Sequence, residues 1–407
     1  MAEPLARLGQ PEADAPDLLQ RPLTPARVHH LPIVALRLRC KDPIVRVLAV
    51  VAAVLALSGC SSGDDGAAPA GPPELASGRL IPERCVPRTP PATATVAFVA
   101  NGAAWALSQR GGRLTCLFAV RRPGPFAWGP RGDRALLASL EVKSFGDAPH
   151  RPPTRAHPSA TSWGRPIGKS IVFVGNGGRA LLKAHPAGGG FSDVTPMQGV
   201  RYERVVYHPS GLAFAFVLRR TGREEVWISS NVGREPRRLV HGRFHTGFDA
   251  LAFTQDGRTL YFAAQHGDTH VDLHTVPVGG ATEAPIAWRG GPHERVTAIH
   301  PGLGGEVAFT VGRSCKTQRA VVVTLTHAKG KDALPDADTS RALGWIDDAH
   351  VLVASGGCGA PVDLYTVAVR NLDARLLAKG VTAAAVRRAE PFPPPPLPAA
   401  GAGSGFA

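Results

Sequence analysis

The residues best suited to chemistry stand close together in His266-Gly-Asp-Thr-His270-Val-Asp-Leu-His274, where three imidazoles are interspersed with carboxylates. On an extended strand His270, Asp272 and His274 fall on one face, and two imidazoles with a carboxylate between them can ligate a divalent metal. Same-face neighbours on one strand nevertheless diverge across a flat surface, so the expectation is a solvated stretch with no metal and no cofactor. Cysteine supplies a second group, at positions 40, 60, 85, 116, 315 and 358. No two of them stand at the short spacing of a zinc site, which leaves disulfide formation or thiol modification as their chemistry. The sequence holds no Gly-x-Ser-x-Gly elbow, His-Glu-x-x-His helix or Walker loop, and no catalytic residue is assigned.

The elements that must position these residues repeat along the chain. In Phe253-Thr-Gln-Asp-Gly-Arg-Thr-Leu-Tyr-Phe262 an aromatic ends one extended run and Asp256-Gly257 supplies the positive-φ positions of a tight hairpin; Leu260, Tyr261 and Phe262 then open a second run. The same strand, turn, strand unit recurs at Trp128-Gly-Pro-Arg-Gly-Asp-Arg134, Trp163-Gly-Arg-Pro-Ile-Gly-Lys169, Tyr207-His-Pro-Ser-Gly211, Ile299-His-Pro-Gly-Leu-Gly-Gly305 and Trp345-Ile-Asp-Asp-Ala-His350. Between the bulky anchors the intervals are 35, 44, 46, 46 and 46 residues. A period in the mid-forties holding several short strands is what a β-propeller blade requires.

The expected fold is therefore all-β, a β-propeller of seven four-stranded blades, or six if the short interval merges 126–141 with its neighbour. A first blade over 96–120 lacks its innermost strand, and one strand, 381–386, is left over at the end. Pairing the C-terminal strand into the first blade would close the ring and remove open edges. Four residues before the successive anchors stand Gly124, Ser159, Glu203, Asp249, Arg295 and Arg341. Because the first strand of each blade lines the channel, two acids and two arginines are expected around one mouth. They would form either a ring of internal ion pairs or a polar funnel for a peptide or anionic small ligand, with the arginines as bidentate clamps.

The repeat resembles that of TolB-like propellers, in which an aromatic and a Pro-Asp-Gly-Lys-like turn precede an apolar strand. Tyr207-His-Pro-Ser-Gly211, Val226-Trp-Ile-Ser229 and Arg234-Glu-Pro-Arg-Arg-Leu-Val240 match its turn, third strand and fourth strand, and 253–278 follows the same order. The resemblance spans 92–388 and implies a fold and a taste for protein partners more than an activity. TolB itself is a soluble periplasmic protein, so its partner network does not carry over. Some serine peptidases share the repeat, but the chain has no room for their α/β-hydrolase domain and peptidase activity is not expected.

Upstream, 1–33 reads as a disordered extension or the product of a misassigned start, and 34–59 as a signal peptide. Arg37, Arg39, Lys41 and Arg46 precede eleven apolar residues at 47–57, too few to span a bilayer. The following Leu57-Ser-Gly-Cys60 resembles the lipobox of bacterial lipoproteins, which implies cleavage before Cys60 and acylation of its thiol. The remaining divisions are a flexible tether at 60–84, the propeller at 85–388 and a disordered Pro-, Gly- and Ala-rich tail at 389–407.

The chain carries a net charge of +14, and +12 of it lies beyond residue 59. A basic body favours anionic neighbours, although an evenly spread excess of arginine has the same sum. No long basic run or nucleic-acid module is present, so no nucleic-acid partner is expected. With Cys40 lost and Cys60 acylated, four cysteines remain for an oxidising compartment, with three possible connectivities. Cys85 lies just before the first blade and Cys116 in its last strand, while Cys315 and Cys358 each follow the second strand of adjacent blades. These placements favour Cys85–Cys116 and Cys315–Cys358.

The leading expectation is a membrane-tethered, extracytoplasmic scaffold, held by an N-terminal lipid anchor and binding an envelope protein or an anionic wall polymer. The alternatives are a propeller enzyme (lyase, lactonase or glycan hydrolase) with Glu203 and Asp249 as paired carboxylates, or a small-ligand sensor at the channel mouth.

Overall fold

The computed structural model describes residues 71–387, apart from 109–111, 122–125, 129–133, 138–141, 145–160, 164–169, 186–190, 241–246, 304 and 325–328. They belong to the second of two units, 68–407. The signal segment, Cys40, Cys60, Gly124, Ser159, the irregular stretch 147–159 and the tail 389–407 lie outside the described residues.

These residues form seven antiparallel sheets. Sheet I holds Val96–Ala100, Ala103–Leu107 and Thr115–Ala119, with Ala383–Val386 on its inner edge; sheet II holds Phe126–Trp128, Arg134–Leu137 and Val142–Ser144. Sheet III holds Thr161–Trp163, Ile171–Gly175, Ala180–Ala184 and Phe191–Asp193. In sheet IV the order is Arg201–Tyr207, Ala213–Arg220, Arg223–Ser230, Arg237–Arg238, and in sheet V it is Phe248–Phe253, Thr259–His266, His270–Pro277, Ile286–Arg289. Sheet VI runs Arg295–Pro301, Val307–Gly312, Arg319–Val323, Lys331–Asp332, and sheet VII runs Ser340–Trp345, His350–Ser355, Val362–Ala368, Ala374–Val381, then Glu74–Leu75. The innermost strands lie side by side in the order III, IV, V, VI, VII, I, II.

Turn chemistry makes the hairpins. Thr254 Oγ1 donates to Asp256 Oδ1 at 2.6 Å, Arg258 N donates to the same oxygen at 3.0 Å, and Gly257 takes φ +70°. An Asx-type turn with glycine at the left-handed position reverses the chain there and aligns Phe253 with Leu260. In sheets IV to VII the second strand is largely apolar on both faces because it is packed on both sides. In Thr259–His266, Leu260, Phe262 and Ala264 pack with Ala215, Val217 and Val226 of sheet IV, whereas Tyr261 and Ala263 pack with Val296, Val307 and Phe309 of sheet VI. The core therefore lies between sheets, and a fully buried phenylalanine such as Phe262 contributes about 1.5–3 kcal/mol.

Two terminal segments complete sheets I and VII. Ala383–Val386 pairs with the first strand of sheet I, Val96 opposite Val386 and Val99 opposite Ala383. The leftover strand thus starts two residues later than its sequence suggests, because Val381 still belongs to the last long strand of sheet VII. The reading of 60–84 as a tether needs correction from residue 74 onward. Glu74–Leu75 pairs with Ala378 and Lys379, Lys379 Nζ lies 2.9 Å from Glu74 Oε1, and Leu75 and Ile81 are buried beside Leu377. Two isolated apolar residues set no period in a Gly- and Pro-rich stretch, and only the open edge of sheet VII makes a place for them.

Candidate functional site

In sheets IV to VII the first residue of the inner strand pairs at or near the end of the second strand, as Arg201 does with Arg219, Phe248 with Ala264, Arg295 with Gly312 and Ser340 with Ser355. The starts of the inner strands and the hairpins after the second strands therefore share one end of each sheet. Contacts join these ends across sheets. Phe248 N donates to Glu224 Oε2 at 2.6 Å between sheets IV and V, and Arg295 Nε donates to Gln265 Oε1 at 3.0 Å between V and VI. The Cys315–Cys358 disulfide links VI to VII with Cα atoms 5.7 Å apart, and Cys85–Cys116 ties the entering chain to sheet I at 5.6 Å.

All four expected mouth residues lie at this end, in two different states. Glu203 is the extra residue of a bulge in the first strand of sheet IV. Arg201 Nε lies 3.0 Å from its Oε1, off the hydrogen-bonding direction, and Arg219 Nη1 lies 3.7 Å away, so the attraction is Coulombic. Arg219 also bonds the buried Glu224. Asp249 faces Arg295 at 3.6 Å, and its Oδ2 accepts no hydrogen bond among the described residues. Burial raises the Asp249 pKa, opposed by Arg295 and Arg204 and assisted by Glu224. Arg295 and Arg341 sit in regular pairing, since in sheets VI and VII the register shift falls two residues further along, at Thr297 and Leu343. Arg341 is exposed and has no ion pair among the described residues.

A second basic surface lies beside the Cys85–Cys116 bridge. A groove of about 400 Å³ is lined by Arg84, Arg88 and Arg113 together with Trp105. The three arginines are exposed and none makes an ion pair with the described residues. Sequence reading had no signal for this groove, because its two sides come from the entry segment and from Trp105 with 113–116.

The histidine stretch is only partly solvated, exposed at 267–269 and buried at 271–274. Asp272 is 1% exposed, and Arg289 of the next strand donates Nε to Oδ1 at 2.7 Å and Nη2 to Oδ2 at 2.9 Å. Burial works to raise the Asp272 pKa, and the Arg289 bonds and charge outweigh it, leaving the carboxyl below its ordinary value. His274 is buried against Phe262, ring on ring at 5.1 Å, and its Nδ1 lies 2.9 Å from the Ala284 carbonyl. His266 was not among the same-face residues, yet it faces His270 across the hairpin with rings 4.4 Å apart and 13° from parallel. The missed signal was the Gly267-Asp-Thr turn, whose register puts residue 266 opposite 270.

No protein-family model matches the chain, and no curated protein does. Solved structures match in fold, including TolB from Acinetobacter baumannii at 13% identity, covering 72% of this chain and 65% of that one, with a TM-score of 0.42. The tricorn protease matches at 12% identity over 72% of this chain with a TM-score of 0.50, and a prolyl endopeptidase at 13% identity over 73% with 0.49. The chain spans 34% and 50% of the length of those two. At such identities the likeness concerns fold alone. Repeated antiparallel sheets with their inner strands side by side define an all-β protein of β-propeller type.

Proposed function

We propose that this chain is a lipid-anchored, extracytoplasmic β-propeller of seven blades that acts as a scaffold for an anionic partner, an envelope protein or a wall polymer. The observation that carries the binding role is the distribution of charge at the strand-start end. Its acids are matched, Glu203 by Arg201 and Arg219 and Asp249 by Arg295, while Arg341 there, and apart from that end the Arg84, Arg88, Arg113 groove on sheet I, offer positive charge without an acidic partner among the described residues. Arginine guanidinium groups with free forks bind carboxylate and phosphate bidentately. A paired-carboxylate enzyme would instead need Glu203 and Asp249 free of arginine.

Ring closure through Ala383–Val386 is part of this reading, supported by its pairing in sheet I. The lipobox-like Leu57-Ser-Gly-Cys60 and two bridges suited to an oxidising compartment support the location. Binding of the full chain to polyphosphate, as a wall-polymer surrogate, and to isolated envelope vesicles tests the role. Arg84→Gln with Arg88→Gln, or Arg341→Gln, is expected to weaken binding while leaving stability within about 0.5 kcal/mol, as for surface changes away from special features. Unchanged binding in all these variants would refute the arginine surfaces as the docking site.

A further inference from the structure

We infer that His266, His270 and Asp272 form a binding site for a divalent first-row transition-metal ion at the hairpin end of sheet V. The three ligand atoms lie within 4.8 Å of one another. Arg289 occupies one side of the Asp272 carboxylate, and the other side of Oδ2 faces His266 Nε2 at 3.4 Å and His270 Nε2 at 3.5 Å. Two ligands held 2.0–2.1 Å from a tetrahedral ion are separated by about 3.3–3.4 Å, close to the separation of each imidazole nitrogen from Oδ2.

Hydrogen bonding sets the tautomer. The Thr269 hydroxyl has one proton, which it donates to the His266 carbonyl at 2.6 Å. Its contact of 2.9 Å with His270 Nδ1 must then run the other way, with Nδ1–H donating to the threonine oxygen. A neutral His270 therefore presents the lone pair of Nε2 to the carboxylate oxygen. The Nε2 atom of His266 is buried and makes no hydrogen bond among the described residues. The His270 lone pair and the carboxylate oxygen repel one another unless a cation stands between them, and an outer partner at Nδ1 is the usual device that aims a metal-binding imidazole.

Access and donor type narrow the ligand. The His266 and His270 side chains are 33% and 29% exposed while Asp272 is 2%, so the carboxylate forms the floor and the rings the rim of a site open to solvent on one side. Water can complete the coordination there. Two imidazoles with one carboxylate suit zinc, nickel, cobalt or copper and not calcium or magnesium, which take mostly oxygen. His274, with Nε2 4.0 Å from Oδ2, forms the inner wall and stays outside the ligand set. The site is independent of the anchor and of the arginine surfaces.

The test uses the full chain stripped with a chelator and titrated calorimetrically with zinc. One site per chain is expected, weakened more than about 10-fold by His266→Ala or His270→Ala, since loss of even an outer partner commonly has that effect. His293→Ala is the control, because His293 is exposed and lies 3.6 Å from Asp268 outside the cluster. Labelling of the unmutated chain with diethyl pyrocarbonate, read by mass spectrometry, needs no variant: zinc should protect positions 266 and 270 but not 293. Absence of a one-to-one site, variants that bind like the parent, or equal labelling with and without zinc would overturn the assignment.

Discussion

His208 and Gly257 join two sheets through a close contact. His208 is 1% exposed, its Nε2 lies 2.8 Å from the Gly257 carbonyl, and its Nδ1 accepts from Ser210 N at 3.1 Å. Nε2 thus carries the proton and Nδ1 the lone pair. A Cβ at Gly257 would stand 2.4 Å from His208 Nε2, and φ there is +70°, whereas a Cβ at Gly267, φ +58°, meets nothing within 4 Å. Gly267→Ala should cost only the left-handed strain, about 1–2 kcal/mol, and Gly257→Ala at least about 1 kcal/mol more, for the overpacking. Denaturant titration of the two variants checks this, and equal losses would refute the inter-sheet contact.

Burial also lowers the His208 pKa from its ordinary value of 6.5, although the Gly257 hydrogen bond and Asp256 pull the other way. The unfolded chain then takes up a proton at higher pH than the folded one, so stability is full above pH 6.5 and falls as pH drops toward the folded value. A second proton would meet the Ser210 N–H at Nδ1. The slope of stability against pH below that point should be smaller in His208→Gln, and identical slopes would show that another group titrates.

Among the elements, Ala383–Val386 completes sheet I with four residues. It covers the edge of Val96–Ala100, whose five residues are each at most 2% exposed. The next residue, Arg387, donates its N–H to Thr95 O at 2.8 Å and lays its guanidinium over Trp128 at 6.0 Å. A chain ending after Arg387 should melt like the full chain. One ending after Thr382 leaves an apolar edge strand unpaired and should melt at least about 5 °C lower, with a tendency to aggregate. Thermal unfolding of the two truncations decides, and coincident curves would mean that sheet I holds without its C-terminal strand.

For the whole molecule, a charge of +12 beyond residue 59 and the expected lipid at Cys60 offer two ways to stay on a membrane, which salt separates. Cys60→Ser should move the chain from the membrane to the soluble fraction after a high-salt wash without changing its melting temperature. Retention through that wash would assign attachment to something other than the lipid. The sequence by itself determined the all-β class, the repeat near 46 residues, the Asp-Gly hairpin at 256–257 and the two favoured cysteine pairs. All of these arise from signals carried by neighbouring residues or by their regular recurrence: turn-forming residues, β-forming runs and a fixed period. Only the tertiary structure decided that Asp272 is buried under Arg289, that His266 and not His274 completes its cluster, that Glu203 answers to Arg201 and Arg219, and that Leu75 and Ile81 belong to the core. Each of those outcomes depends on which side chains register, bulges and neighbouring sheets bring together. Residues 201 and 219, or 75 and 377, carry no mark in the chain of the partner that folding places beside them.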